Sequence, residues 1–248
     1  MRKLSPPKAI SHALNSVWTY RSVAIRIILP WLPVIIAVSV LEYFTGTPEQ
    51  AAAGVGSAGV MQIASTLVAI TAVAAISVNW HRFILRDEAP QGMRLDGLML
   101  RYAGNTILTM LPMLLPALLV VFGLVFFPPL ATLAGIPLLL LLGAAVTRLS
   151  IKLPAVALGE RAFTFRDAWA ASAGNFWPCL GVFVLNGLIL LGFFMALSTL
   201  SSMLTLISPA FAMVFLVVAA GLLQLVYSVL NASILTSLYG FFVERRDF

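Results

Sequence analysis

The sequence predicts an all-α, polytopic membrane protein with about six transmembrane helices, and three observations carry that prediction. Hydrophobic residues make up 61% of the 248 positions and charged residues only 10%, with a mean hydropathy of +1.03. A soluble globule carries about a quarter charged residues, so this chain lacks the polarity to coat one. The apolar residues also come in blocks of roughly 20 or more, the length that crosses a hydrocarbon core of about 30 Å. Finally, the 15 Lys and Arg residues all fall on one side of the layout that these blocks define.

The expected spans are residues 23–44, 60–79, 105–127, 129–147, 179–206 and 209–242. Pro30, Pro33, Pro112, Pro116 and Pro137 lie within or near their ends. Membrane helices tolerate proline where neighbouring groups re-satisfy the freed backbone. Pro128, Pro129 and Pro137 crowd the fourth span and could confine its helix to a short piece. The last two spans are long enough to tilt. The first apolar run continues well past the apolar region of a signal peptide, which predicts an uncleaved first helix.

Charge sets the orientation. Arg2, Lys3, Lys8, Arg21 and Arg26 precede or open the first span. Arg82, Arg86, Arg94 and Arg101 separate spans two and three, while Arg148, Lys152, Arg161 and Arg166 separate four and five. Arg245 and Arg246 follow span six. The opposite loops, residues 45–59 and those around Pro128 and Ser208, contain no basic residue, only Glu49, with Glu42 just before. By the positive-inside bias the basic side is cytoplasmic, with both termini there, as in a bacterial inner membrane protein. The net charge of +6 thus serves topology and anionic lipid headgroups rather than nucleic acid.

The chain also reads as a single transmembrane domain of three parallel pseudo-repeats, about residues 1–90, 91–160 and 161–248. Each opens with a short amphipathic segment expected to lie at the interface as an elbow. The first begins at Ser5-Pro6-Pro7, a serine cap followed by proline, with Ile10, Leu14, Val17 and Trp18 at helical spacing. The second carries Leu95, Leu98, Met99 and Tyr102 on one face. The third opens with the capping-box pattern Thr164-Phe165-Arg166-Asp167, followed by Trp169, Ala173 and Phe176.

One stretch carries a family resemblance. It runs Arg148-Leu149-Ser150, then Leu153-Pro154-Ala155-Val156-Ala157-Leu158, Glu160, Phe165-Arg166-Asp167-Ala168-Trp169, Ser172 and Gly174-Asn175-Phe176-Trp177. This resembles the basic, proline-containing elbow of a broad group of bacterial six-helix integral membrane proteins, mostly uncharacterised. The group includes the membrane domain attached to some glycerophosphoryl diester phosphodiesterases. The resemblance implies a fold and a location, not a reaction. In the fused relatives the hydrolase is a separate soluble domain, for which these 248 residues leave no room.

Groups for catalysis are sparse. His12 and His81 fall in different units and read as interfacial polar residues, and no His, Asp or Glu spacing resembles a metal site. The lone Cys179 reads as a small packing residue. Gly54-Val55-Gly56-Ser57-Ala58-Gly59 matches a dinucleotide-binding string but lacks its strand–turn–helix setting. Asn231-Ala232-Ser233 matches a glycosylation acceptor but lies inside a span.

No catalytic, cofactor-binding or metal residue is therefore expected. The candidates that remain are intramembrane and polar: Gln224, Tyr227 and Asn231 on one face of span six, met by Asn186 of span five. They predict either interhelical hydrogen bonds or a polar pocket. No Asp, Glu, Lys or Arg lies at the centre of a span, which argues against an ion-coupled carrier. The expectation is a non-enzymatic scaffold, accessory subunit or lipid-associated factor, with membrane lipids or a protein of a membrane complex as partners, and no nucleic acid. The alternative is an uncoupled small-molecule or lipid transporter. Single cysteines at Ser5 and Ser208, in a Cys179→Ser background, test the orientation. An impermeant maleimide should label Ser208→Cys in intact cells and Ser5→Cys only after lysis.

Overall fold

A computed structural model describes residues 2–45 and 56–247. Among them every regular element is helical. The elements are α1 (Pro6–Thr19), α2 (Arg21–Ile28), α3 (Leu32–Thr45), α4 (Ser57–Arg86), α5 (Gly97–Phe126), α6 (Ile136–Ser150), α7 (Lys152–Ala157), α8 (Phe165–Ala171), α9 (Phe176–Thr205) and α10 (Pro209–Phe242). A short turn at Pro128–Leu130 and a π-helical turn at Ala131–Gly135 lead into α6. Five helices are long and apolar enough to span a bilayer, or six if the bent pair α2–α3 counts as one. The chain is an all-α polytopic membrane protein.

Several spans differ from the expected limits for identifiable reasons. Residues 23–44 do not form one helix: α2 and α3 meet at 47° across Leu29, Pro30 and Trp31. Pro30 offers no N–H, and its ring crowds the carbonyl four residues back, so the helix bends there. Spans two and three continue well past their expected basic-side limits, to Arg86 and from Gly97. Polar residues at these ends are satisfied inside the bundle, so the helices need not stop where hydropathy falls. The fourth span starts with the Pro128–Leu130 and Ala131–Gly135 turns and reaches Ala157 through α7. The sixth is as expected, with the Ser208 hydroxyl accepting from the Phe211 amide at its start.

The interfacial elbows are not uniform either. α1 and α8 are separate short helices ahead of their spans, and Thr164 and Asp167 form a reciprocal capping box on α8. The expected second elbow is instead the first turns of α5 itself. Asp96 caps it, accepting from Leu98 and Met99 amides at 3.1 and 2.8 Å and from Arg94 Nε at 2.8 Å. Burial opposes the charge on Asp96, yet these donors hold its carboxyl below the usual range. Glu49 and most of the 45–59 loop lie outside the described residues, as do Gly54 and Val55 of the glycine string; Gly56 only caps α4.

Packing is concentrated at the basic end. α10 crosses α4 there, flanked by α1, α3 and α9. Lipid gives helices no hydrophobic reason to associate, so close approach through small residues must do so. Small residues are buried on both helices: Ala72, Ala75 and Ser77 on α4, and Ser228, Ala232, Ser233, Thr236 and Ser237 on α10, where Ser233 and Ser237 turn to α1, to the Ala13 carbonyl and to His12. Away from this end α5 and α9 spread apart, and only 6% of each span is buried.

The stretch that carries the family resemblance is a lock on this end. The buried Arg148 side chain donates to Ser172 Oγ at 2.9 Å and to the Trp169 carbonyl at 2.7 Å, with its guanidinium 3.6 Å from the Trp169 ring centre. Asn175 accepts from the Leu4 amide at 2.9 Å and donates to the Arg2 carbonyl at 3.1 Å, tying down the N-terminal segment. Arg2 pairs in turn with Asp247 beyond α10.

On α6, Gly143 faces the Phe183 ring of α9 so closely that an added Cβ would lie 2.3 Å from it. Gly143→Val should therefore overpack the seam and cost about 1–3 kcal/mol, seen as a lower melting temperature in detergent. An unchanged melting temperature would show that the contact is loose.

Candidate intramembrane cavity

Inside the basic half, α4, α5, α6, α9 and α10 enclose a cavity of about 210 Å³. Its polar lining is Ser77, Tyr102, Thr106, Thr147, Ser150, Asn186 and Asn231; the remaining lining residues are apolar and none is charged. Of the four residues that the sequence singles out, Asn186 and Asn231 thus meet at one cavity. Tyr227 does not line it but lies next to Asn186. Gln224 is exposed on the outer surface of α10 and takes no part. The helical face of span six was correctly periodic, but α10 turns only its lower portion inward.

The lining has a definite hydrogen-bonding character. Thr106, Thr147 and Ser150 each spend their hydroxyl hydrogen on a carbonyl four residues back, at 3.0, 2.9 and 2.8 Å. Each then presents only oxygen lone pairs to the cavity. Asn186 Oδ1 is buried and has no hydrogen-bond partner. An orphaned buried acceptor costs about 1–3 kcal/mol, so Asn186 Oδ1 favours a donor beside it.

The basic end of the cavity is closed by a chain that hydropathy does not reveal. His81 is fully buried, not interfacial. Thr236 spends its hydrogen on the Ala232 carbonyl at 2.8 Å, so its oxygen must accept from His81 Nδ1 at 2.8 Å. Nε2 is then the acceptor of the neutral ring and receives the Tyr102 hydroxyl at 3.1 Å. Ser77 lies beside the same hydroxyl. The network links α4, α5 and α10 and leaves His81 with no spare position for a reacting group. Asn79, two residues before His81, accepts from the Gln91 amide at 3.1 Å and fastens the loop between α4 and α5. Among the described residues no cluster of His, Cys, Asp or Glu could hold a metal, and Cys179 is buried.

On the side facing lipid, an apolar groove of about 650 Å³ runs between α4 and α5, with Leu139 of α6 at its floor. Val73, Thr106, Met110 and Met113 border both groove and cavity, so the two spaces share a wall. Along α5 the groove extends from Ala103 to Ala117, about 21 Å at 1.5 Å per residue. That exceeds the depth of one hydrocarbon leaflet, about 15 Å.

Tyr102→Phe leaves His81 Nε2 buried without a donor and should cost about 0.5–2 kcal/mol in equilibrium unfolding from mixed micelles. In a His81→Phe background the same change should cost little more, because the bond is already gone. Additive losses would show that the two side chains are not coupled. Searches against protein-family models, curated proteins and solved structures find no match to this chain.

Proposed function

We propose that this protein is a non-enzymatic, lipid-associated membrane factor that takes one uncharged amphiphile sideways from the bilayer. The polar end of the amphiphile would enter the cavity and donate to Asn186, and its chain would lie in the α4–α5 groove. The observation that carries this reading is the wall of Val73, Thr106, Met110 and Met113 that cavity and groove share. A polar space on one side of a thin wall and an apolar one on the other suit a molecule with both characters. The head is uncharged because no charged side chain lines the cavity, and a bare ion there would lack a partner. It carries hydroxyl or amide hydrogens because the lining offers acceptors.

The polar groups of the cavity are hydroxyls and carboxamides, suited to holding a ligand rather than to acid–base work. The charge bias supports an inner-membrane setting with both termini in the cytoplasm. The broad exposed faces of α5 and α9 would serve an accessory or scaffolding role beside a partner. Transport of the bound molecule is the second reading, favoured by the meeting of Asn186 and Asn231, two of the three residues expected to line a path, the third being the exposed Gln224.

Native mass spectrometry after gentle detergent extraction tests the proposal. The wild type should retain a neutral amphiphile, and Asn186→Leu or Ala117→Phe should each lower its occupancy about tenfold, a change of about 1.4 kcal/mol. Equal retention by all three would overturn the reading. Flux of the identified molecule across liposomes, lost in Asn186→Leu, would move the assignment to transport.

A further inference from the structure

A second site lies at the basic face, independent of the cavity. Arg101 and Asn105 of α5, Lys152 of α7, and Glu160, Arg161 and Phe163 after it line a cleft of about 350 Å³. Several other arginines near this face are committed. Arg2, Arg82, Arg94 and Arg246 each hold a carboxylate, and Arg148 is bonded inside the fold. Among the described residues none of Arg101, Lys152 and Arg161 lies within 4.0 Å of a carboxylate, and the three line one cleft.

The one acid in the cleft, Glu160, accepts the Tyr239 hydroxyl at 3.0 Å, which ties it to α10. Lys152 is half-buried and lines the cleft, with its Nζ resting 4.0 Å from the Phe165 ring centre. Three cations against one engaged carboxylate leave a net positive recess. Arg101 and Asn105 belong to the first turns of a long apolar helix, Lys152 follows directly on another, and Arg161 reaches the cleft from the exposed loop after α7. Basic recesses beside the ends of spanning helices bind anionic headgroups.

We propose that this cleft binds the phosphate headgroup of an anionic bilayer phospholipid through Arg101, Lys152 and Arg161. Asn105 adds a polar contact, and the neighbouring lipid-facing surface of α5 receives an acyl chain. Repulsion from Glu160 limits affinity, so Glu160→Gln tightens binding.

The test reconstitutes the full chain in nanodiscs containing equal amounts of a phosphatidylcholine and a phosphatidylglycerol, then counts lipids retained in native mass spectra. The wild type should retain the phosphatidylglycerol preferentially. Each of Arg101→Gln and Arg161→Gln should lower that preference about fivefold, since a cation at the membrane surface contributes about that factor. A control double variant, Arg21→Gln with Arg166→Gln, removes twice the charge of either single variant elsewhere and should still keep the preference. Equal loss in the control would overturn the site in favour of diffuse surface charge. Displacement of the retained lipid by soluble glycerol 3-phosphate would overturn the lipid assignment in favour of a free phosphate ligand. Because the readout is an anionic lipid, it is independent of whether a neutral amphiphile occupies the cavity.

Discussion

The close crossing of α4 and α10 at the basic end is the constraint on which the rest of the structure depends. In a bilayer neither helix gains from hiding apolar surface, so their association rests on small residues that let the backbones approach and on hydrogen bonds made where no water competes. The His81–Thr236 bond at 2.8 Å provides the second, and the alanine and serine seam provides the first. From this joint follow the burial of the basic half, the closure of the cavity by Tyr102, and the anchoring of the loop through Asn79. The outer halves of the spans have no comparable joint. They diverge, and the α4–α5 groove is the space that this divergence leaves.

A related division separates the arginines. Those with carboxylate or backbone partners hold the basic face together: Arg82 grips Glu88 with two bonds of 2.7 and 2.6 Å, and Arg148 joins α6 to α8. The arginines of the cleft make no such bonds. The positive-inside bias accounts for where all of them lie relative to the bilayer, but not for which remain unpaired. Structural and recognition roles are therefore distributed within a single topological signal.

Much of the fold was legible in the sequence because bilayer crossing imposes a length and an apolarity that few other constraints mimic. Span six was placed from Pro209 to Phe242, α8 was visible through its capping box, and α1 through the proline at its start and its amphipathic spacing, although the Ser5 side chain makes no capping hydrogen bond. Hydropathy misplaced the basic ends of α4 and α5 because it scores His81, Asn79 and Tyr102 as polar boundary residues. It has no means of knowing that their hydrogen bonds are satisfied within the bundle. The break at Pro30 was similarly hidden, since proline bends some membrane helices and leaves others, such as α5 at Pro112 and Pro116, continuous.

The site was legible in part for the same reason. Helical periodicity put Gln224, Tyr227 and Asn231 on one face, but periodicity cannot say where along a long helix that face turns from lipid to protein. Asn186 and Asn231 reach the cavity, whereas Gln224, two turns nearer the outer end, does not. Thr106, Thr147 and Ser150 gave no sequence signal because isolated hydroxyls are common in spans. The most direct measurement of the central claim is an experimental structure in a lipid nanodisc. The account predicts elongated non-protein density in the α4–α5 groove that passes the Met110–Met113 wall and ends within hydrogen-bonding distance of Asn186 Oδ1. Density for water alone in the cavity, with a continuous protein wall between it and the groove, would contradict it.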